Sequence, residues 1–362
     1  AAEKHSITRL WKQSSRLIAR SVTQNAGDHG EHYITRDKKE YWAMFYSAAG
    51  GGVLIALMAL FKTYLGSIID DKVWKGLAEG LNYGFGFMVI FMLHFTVATK
   101  QPAMTAARFA EAVEKNPQGK TLNMKLAQLL VDVFRSQSVA VLGNVVVAMG
   151  LAALIAFVYQ HQTGEPLMNS EKIAYQLHRI DPLDGSLWFA AIAGVWLFCS
   201  GIISGYFDNR SNYLNMRMRL AQHPLLKKLM SEKSRVKFAN YMHENYGSLI
   251  GNFCFGMLLG LTGLVGYLTH LPLDIRHVAF SSANLGYSAV SGQFAYPFFL
   301  QCIAFVLLIG LVNLIVSFSL TLWVALRSLN TEIDSWWAIW HEVCQIVKKR
   351  PLSLFFPVQL DK

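Results

Sequence analysis

The chain has 362 residues, of which 53% are hydrophobic and only 15% are charged, and its mean hydropathy is +0.30. A soluble globular domain carries about 25% charged residues, so this composition excludes an ordinary water-soluble protein and indicates that lipid surrounds much of the chain. The net charge of +10 favours contact with an anionic surface, either lipid or nucleic acid.

Six stretches are apolar and long enough to cross a bilayer, since a spanning helix needs roughly 20 residues. The alternating segments of about ten residues that are typical of membrane β-barrels do not occur in the sequence. The sequence therefore predicts an all-α, polytopic membrane protein with about six transmembrane helices. The predicted spans are 43–69, 83–99, 138–159, 186–206, 247–270 and 298–326.

Lysine and arginine alternate in density between the segments that separate these spans. In chain order the segments hold 8, 2, 6, 2, 8, 1 and 5 such residues, whereas the acidic residues do not alternate in step. Orientation follows the Lys/Arg bias, with the basic side in the cytosol, so we predict that both termini of the chain are cytosolic. The segments are 1–42, 70–82, 100–137, 160–185, 207–246, 271–297 and 327–362.

This topology gives a cytosolic N-terminal segment at 1–42, a membrane domain at 43–326 and a cytosolic C-terminal helix with its tail at 327–362. Within the membrane domain, 100–137 and 207–246 are too charged to span, and apolar residues at helical spacing predict amphipathic helices at the cytosolic face. The second of these segments fits a helical hairpin that packs against the bundle or docks a partner.

The C-terminal segment contains a helix in which Trp336, Trp340, Val343 and Val347 share one face, and a basic Lys-Lys-Arg run follows it. This pattern is typical of a helix that lies in the membrane interface. At its other end the chain starts Ala-Ala-Glu without methionine, so we expect a preceding segment to be missing from it.

The most unusual stretch, within 271–297, follows the fifth span on the predicted outer side. It holds three ionisable residues within four positions and then becomes small and apolar. One interpretation is a re-entrant or interfacial helix capped by its aspartate, with a polar site at the outer mouth of the bundle. The alternative is an aspartate–arginine pair that stabilises a turn, with the histidine in solvent. The candidate site residues are Asp274, Arg276, His277, Ser281, Ser282 and Asn284.

Glycines line the fifth span at intervals that let a neighbouring helix approach closely. Packing within one chain is the simpler interpretation, and dimerisation or a substrate path is the alternative. The helix-packing glycines are Gly247, Gly251, Gly256, Gly260 and Gly263.

Motifs that carry chemistry are scarce. Few polar residues lie inside the predicted spans, among them Asn144, Asn252 and Asn313, and amides in such positions commonly join helices. No predicted span has a carboxylate at its centre, which argues against a proton relay. The His29-Gly30-Glu31-His32 pair lacks further ligands at useful spacing, and no phosphate-binding loop is present, so we predict neither a metal nor a cofactor.

Three segments carry a resemblance to a known family. LPLDIRHVAFSSANLGYSA at 271–289, the glycine-rich GNFCFGMLLGLTG at 251–263 and RPLSLFFP at 350–357 resemble a bacterial family of site-specific recombinase transmembrane proteins. The resemblance covers most of the chain. It implies the inner membrane of a bacterium, a longer protein with an additional helical and largely soluble N-terminal part, and, from the family's name, DNA strand exchange.

The residues do not support strand exchange. A tyrosine recombinase needs an H-x-x-R element to bind the scissile phosphate, and no histidine of this chain has an arginine three positions later. Arg276-His277 lies on the predicted outer side, away from DNA. A serine recombinase needs a soluble domain with a nucleophilic serine among arginines, whereas the serines beside arginine here lie in predicted membrane-flanking helices, as Ser136 and Ser211 do.

The sequence thus favours a non-enzymatic membrane protein that handles a lipid or small amphiphile, or scaffolds an envelope assembly. Its expected partners are anionic lipids at the cytosolic face and either a second copy or another envelope protein. A membrane-tethered protein that binds or recombines DNA is the alternative, with any catalytic part outside this chain. A deep polar cavity with convergent ionisable groups would instead favour a membrane enzyme or transporter.

Overall fold

The protein is described by a computed structural model over residues 34–35, 37–97, 105–106, 109–113, 120–329, 333 and 335–357. These residues form helices and connecting turns, without a strand among them. The helices that build the bundle are α1 (Lys38–Ile68), α2 (Lys72–Met92), α3 (Lys120–Thr163), α4 (Ser170–Ile180), α5 (Ser186–Tyr213), α6 (Met216–Gln222), α7 (Pro224–Leu229), α8 (Glu232–Thr269), α9 (Val278–Ser291), α10 (Tyr296–Leu329) and α11 (Trp336–Lys349).

Five of these helices are long and apolar enough to cross a membrane, namely α1, α3, α5, α8 and α10. In the most apolar part of each, between 28% and 44% of the residues are buried inside the bundle. Most of the apolar side chains therefore point outward, as Leu154 and Phe157 do with 57% and 60% of their surface exposed. A surface of this kind requires lipid as its solvent, which confirms the predicted polytopic helical membrane protein.

The predicted second span at 83–99 differs from the helix that forms there. Helix α2 begins eleven residues earlier, at Lys72, and ends at Met92, and it is not among the five helices that are long and apolar enough to cross a membrane. The physical reason is its polar first half, which carries Lys72, Lys75 and Glu79.

Helix α2 nevertheless runs back along α1. The Lys62 ammonium lies 2.9 Å from the Glu79 carboxylate, and four residues beyond the end of α2 the Thr96 N–H donates to the Ser47 carbonyl at 3.1 Å. Helix α1 rises by about 22 Å between Lys62 and Ser47 at 1.5 Å per residue. The chain therefore returns across much of the roughly 30 Å of a bilayer core, as a sixth pass would.

One helix joins the second half of the predicted amphipathic segment 100–137 to the predicted span 138–159. Helix α3 runs without a break from Lys120 to Thr163. Neither proline nor glycine occurs between Lys120 and Leu142, so nothing in the local sequence ends the helix at the predicted boundary.

Connections alternate between the two ends of the bundle, which we name by the helices that lie there. At the α4 end, α1 ends and α2 begins, and the indole of Trp188 at the start of α5 donates to the Pro272 carbonyl at 3.2 Å. At the α11 end, α1 begins and α10 ends. The α4 end also holds the parts of the predicted outer segments that connect one helix to the next. These segments are 70–82, 160–185 and 271–297.

A second apolar core forms at the α11 end. Ile339 and Val343 of α11 are buried against the first half of α3 and the last turns of α10. Trp336 and Trp340, which were predicted on the same face as Val343, are about half exposed. The buried face of α11 thus contains Ile339 and Val343, which pack against the bundle, and the tryptophans lie at the edge of that face, near the surface.

The glycines of α8 lie where neighbouring backbones come closest. Gly247 and Gly251 face Ser204 of α5, where a Cβ atom would overlap its backbone and hydroxyl. Gly256 and Gly260 face α2, where a Cβ atom would overlap the backbone at Tyr83 and Gly80 respectively. Gly263, by contrast, has only an ordinary 3.6 Å approach to Asp274. Four of the five glycines therefore serve contacts within this chain.

The substitution Gly260→Ala is expected to destabilise the bundle, because its methyl group has no room against the α2 backbone. Overpacking of this kind costs about 1–3 kcal/mol. Gly263→Ala is the matched control on the same helix, and its better helix propensity should change stability by no more than about 1 kcal/mol, in the stabilising direction. Thermal unfolding of the purified variants in detergent measures both. Equal melting temperatures would contradict the close contact between α8 and α2.

Candidate functional site

The stretch 271–297 forms a re-entrant element. Residues 271–277 enter the bundle as non-helical backbone, and α9 then runs back toward the α4 end. Its first residue, Val278, lies at the midpoint of α10, where its N–H donates to the Asn313 side-chain oxygen at 3.1 Å. At its last residue, the Ser291 hydroxyl accepts from the Met168 N–H beyond the end of α3. Most of α9 is buried, so it fills the centre of the bundle rather than its surface.

Asn313 provides hydrogen-bond partners for the non-helical backbone at this depth. Besides accepting from Val278, its amide donates to the Arg276 carbonyl at 2.9 Å and to the Ala190 carbonyl of α5 at 2.8 Å. The residue is fully buried. Non-helical backbone in a membrane protein persists only where the protein supplies such partners, so this one amide holds three segments together.

The predicted capping of the helix by Asp274 is wrong. The N-cap residue of α9 is His277, which gives no side-chain cap, and Asn313 of α10 provides the hydrogen bond instead. The alternative interpretation is corrected as well, because the Asp274–Arg276 pair is present but His277 is buried, with 1% of its surface exposed.

A cavity of about 500 Å³ opens between α9 and the helices around it. Its mouth is at the α4 end, where Lys72, Lys172 and Tyr175 are exposed. Toward its floor the lining becomes buried, ending at Arg276 and His277. The cavity therefore leads from one end of the bundle to the re-entrant backbone at its centre.

Charged side chains converge on this cavity. Six basic and two acidic residues line it, which leaves a formal excess of four positive charges. Low-dielectric walls focus the field of such a cluster, so the cavity attracts anions. The basic residues are Lys62, Lys72, Lys75, Lys172, Arg179 and Arg276, and the acidic residues are Glu79 and Asp274.

Asp274 joins two of the arginines. Its carboxylate accepts from Arg276 at 2.7 Å and from Arg179 of α4 at 3.0 Å, and it also accepts from the Ile275 N–H. Burial alone would raise the pKa of this carboxyl, but the two guanidinium groups outweigh burial and lower that pKa to about 2. For Arg179, burial lowers the pKa and Asp274 raises it by more. Both partners are therefore ionised at neutral pH.

Arg276 is anchored by more than its ion pair. Its Nε donates to the Arg179 carbonyl at 2.6 Å, and its guanidinium lies 4.8 Å from the centre of the Phe189 ring of α5. Its backbone N–H donates to the Phe189 carbonyl at 3.2 Å. Arg276 thus ties the re-entrant connection to α4 and α5 while one face of its head lines the cavity.

A second ion pair forms the opposite wall. Lys62 of α1 and Glu79 of α2 lie 2.9 Å apart, with 31% and 13% of their side chains exposed. The Lys62 ammonium also lies 5.4 Å from the centre of the Tyr83 ring, which stacks on Phe280 at 4.3 Å. The wall therefore presents a paired cation beside an aromatic surface.

His277 forms part of the floor. Its ring lies among Phe87, Phe255 and Phe280, with ring centres 5.8–6.0 Å away. Ser281 and Asn284 follow it at helical spacing on the same face of α9, and both line the cavity. Ser282 lies on another face, where its hydroxyl donates to the Ala279 carbonyl.

Five of the six predicted site residues therefore meet in one place, and Ser282 does not. Sequence reasoning missed the contributions of Lys62, Glu79 and Arg179, which come from three other helices. Lys62 carried a signal, because a lysine inside a predicted span is costly unless it has a partner or a function. Glu79 carried none, since it fell in a segment predicted to lie outside the membrane.

The charges at the α4 end are sorted between the cavity and the surface. The predicted outer segments 70–82, 160–185 and 271–297 contain five basic and eight acidic residues. All five basic residues line the cavity, whereas only two of the eight acidic residues do. An end of the bundle that is acidic overall thus surrounds a basic interior, which a random distribution of surface charges would not give.

Asn313→Leu is expected to destabilise the protein severely, because it leaves the Val278 N–H and two carbonyls without their buried partner. Each buried polar group left unpaired costs about 1–3 kcal/mol. Asn252→Leu is the matched control, since that buried amide donates only to Ser248 of its own helix. Thermal unfolding in detergent compares the two, and equal losses would contradict the role of Asn313 as the clamp of the re-entrant element.

Among the described residues, no group of three histidine, cysteine or carboxylate side chains is placed to hold a metal ion. The His29–His32 pair lies outside these residues. Neither the curated proteins nor the solved structures contain a match to this chain. A family model described as "Site-specific recombinase" matches residues 1–357, nearly the whole sequence, and the chain therefore belongs to that family.

Proposed function

We propose that this membrane protein binds an anionic amphiphile, with the anionic head in the basic cavity. The observation that carries the proposal is the sorting of charge at the α4 end, where every basic residue of three connecting segments lines one cavity. Ion pairs within the protein do not explain this arrangement. Lys72, Lys75 and Lys172 form no ion pair within the described part of the chain, so no carboxylate neutralises their charges there, although the Lys72 ammonium lies 4.2 Å from the centre of the Tyr267 ring.

The chemistry of the lining fits a phosphate or carboxylate group. Arginine and lysine bind these groups through charge-assisted hydrogen bonds, and a desolvated site makes such bonds stronger. Ser281 and Asn284 add neutral hydrogen-bonding groups near the floor. Leu259, Leu264 and Phe280 line the same cavity, and these apolar surfaces suit the part of the ligand next to its head.

A lipid head group and a small soluble anion share this chemistry. The amphiphile is favoured because the cavity lies inside a bundle whose outer surface is in contact with lipid, and because apolar and basic side chains line it together. We place the α4 end on the outer side of a bacterial inner membrane, with both termini of the chain in the cytosol. The Lys/Arg bias supports that orientation, and so does the return of α2 along α1 toward the α11 end.

The family's description names DNA recombination, and the positions of the relevant residues argue against it. Arg276 and His277 lie in the centre of the bundle with 6% and 1% of their surface exposed, where a DNA phosphate has no access. Ser136 and Ser211, two of the serines beside arginine, are buried as well. Two alternatives remain within the membrane class. A scaffold role requires no ligand in the cavity, whereas the convergence of ionisable groups on the cavity favours a membrane enzyme or transporter.

A triple variant removes the three cavity lysines that have no ion pair: Lys72→Gln, Lys75→Gln and Lys172→Gln. It is expected to bind anions roughly tenfold to a hundredfold more weakly, because the formal charge of the lining falls from +4 to +1. Binding is measured on the purified protein in neutral detergent by microscale thermophoresis with short-chain phosphatidic acid. Inorganic phosphate is titrated in parallel, to distinguish an amphiphile from a free anion.

The double variant Lys348→Gln with Lys349→Gln is the control, because these lysines lie at the end of α11 and away from the cavity. It should bind like the wild type. Tight binding of inorganic phosphate alone would replace the amphiphile with a soluble anion. If neither probe binds the wild type, or if the triple variant binds both unchanged, the cavity is not an anion site and the scaffold role is favoured.

Glu79→Gln is expected to tighten phosphatidic acid binding by roughly threefold to tenfold, because it frees the Lys62 ammonium from its ion pair and raises the net charge of the lining. Asp184→Asn is the control, since this acidic residue lies at the same end of the bundle but outside the cavity, where it pairs with His178. The same titration compares the two variants. Unchanged or weaker binding by Glu79→Gln would contradict both the contact of Lys62 with the ligand and the effect of the net charge of the lining.

A further inference from the structure

The α11 end carries a second charged surface, which the cavity does not explain. It is formed by residues 210–237, namely the end of α5, the short helices α6 and α7, and the start of α8. This segment contains eight basic residues and one acidic residue, Glu232. None of the eight forms an ion pair with another described residue, and we call this segment the basic hairpin surface.

Large apolar side chains are exposed on the same surface. Tyr213 is 90% exposed and Leu229 is 79% exposed, and Leu225 and Met218 are more than half exposed. They alternate along the chain with exposed cations, among them the pair Lys227 and Lys228 between the two leucines. Four large apolar side chains exposed on one basic surface indicate a covering surface, because their contact with water costs free energy.

Of the two short helices, α7 has little support from the rest of the bundle, whereas α6 packs along α8. Helix α6 is held to α8 by the Arg235 Nε, which donates to the Ala221 carbonyl at 2.7 Å. Every residue of α7 except Leu226 is exposed. Helices of seven and six residues are unstable in water by themselves, so their helical form depends on a surface that they lie against.

Position in the bundle indicates which surface this is. Tyr213 ends the membrane-crossing helix α5, and Glu232 begins α8, whose apolar part follows it. The basic hairpin surface therefore lies where these helices leave the bilayer. Apolar side chains inserted among lipid tails with cations at the head groups are typical of interfacial helices.

We propose that the basic hairpin surface binds the anionic leaflet of the membrane, with Leu225 and Leu229 inserted and with Lys227 and Lys228 at the acidic head groups. A nucleic acid matches the charge but not the leucines, because it binds cations through its phosphates and offers no comparable apolar surface. This binding is independent of the anion cavity, which lies at the opposite end of the bundle.

The test is hydrogen–deuterium exchange of the full chain in nanodiscs made either of phosphatidylcholine alone or of an equal mixture with phosphatidylglycerol. The amides of 216–229 should exchange at least roughly tenfold more slowly in the anionic discs, and added salt should reduce the difference. Lys227→Glu with Lys228→Glu should abolish that difference. Lys38→Glu with Lys39→Glu, an exposed pair at the start of α1 near the same end, should leave it unchanged.

Leu225→Ser with Leu229→Ser separates insertion from charge attraction, and it should also reduce protection in the anionic discs at low salt. Exchange that is equal in the two kinds of disc overturns the proposal. Protection of 216–229 by duplex DNA in phosphatidylcholine discs, without protection by phosphatidylglycerol, also overturns it and assigns the surface to nucleic acid.

Discussion

The arrangement of this protein depends on one requirement, that backbone groups inside a lipid-embedded bundle have hydrogen-bond partners. Residues 271–277 break helical structure at the centre of the bundle, and the Asn313 side chain there accepts from Val278 and donates to two carbonyls. Arg276 adds bonds from its backbone and its side chain to α4 and α5. With these partners the chain can enter the bundle and turn back as α9 instead of crossing it.

The re-entrant element determines where charge can be placed. Helix α9 begins at the middle of α10 and runs toward the α4 end, and the cavity lies beside it, with the residues at the start of α9 at the cavity floor. Two carboxylates inside it neutralise the cations that are most deeply placed, as Asp274 does for Arg179 and Arg276. The more exposed lysines at the mouth keep their charge. The result is a gradient from free cations at the mouth to paired cations at the floor.

The two ends of the bundle therefore carry basic groups in different settings. At the α4 end they are gathered inside a cavity, which suits recognition of a single anionic head group. At the α11 end they are spread over an exposed surface with leucines between them, which suits a leaflet of many head groups. Membership in the site-specific recombinase family does not supply a mechanism for either end, since the buried Arg276 and His277 have no access to DNA.

The sequence by itself determined the class of the protein. The low content of charged residues and several long apolar stretches predicted a polytopic helical bundle, since membrane-spanning helices can be recognised from local composition. Composition also located the unusual stretch after the fifth span, because three ionisable residues in four positions are conspicuous there. Boundaries were predicted less well, as α2 and α3 demonstrate: the helix at the second predicted span begins eleven residues earlier with a polar first half, and an uninterrupted helix joins two predicted segments.

The tertiary structure decided what these residues do together. Sequence spacing brought His277, Ser281 and Asn284 onto one face, but nothing local indicated that Lys62, Glu79 and Arg179 from α1, α2 and α4 would meet them. The cap of α9 likewise came from Asn313, 35 residues further along the chain, instead of from the nearby Asp274. Such partners are separated by long stretches of sequence, and only the packing of the helices, set partly by the glycines of α8, brings them within hydrogen-bonding distance.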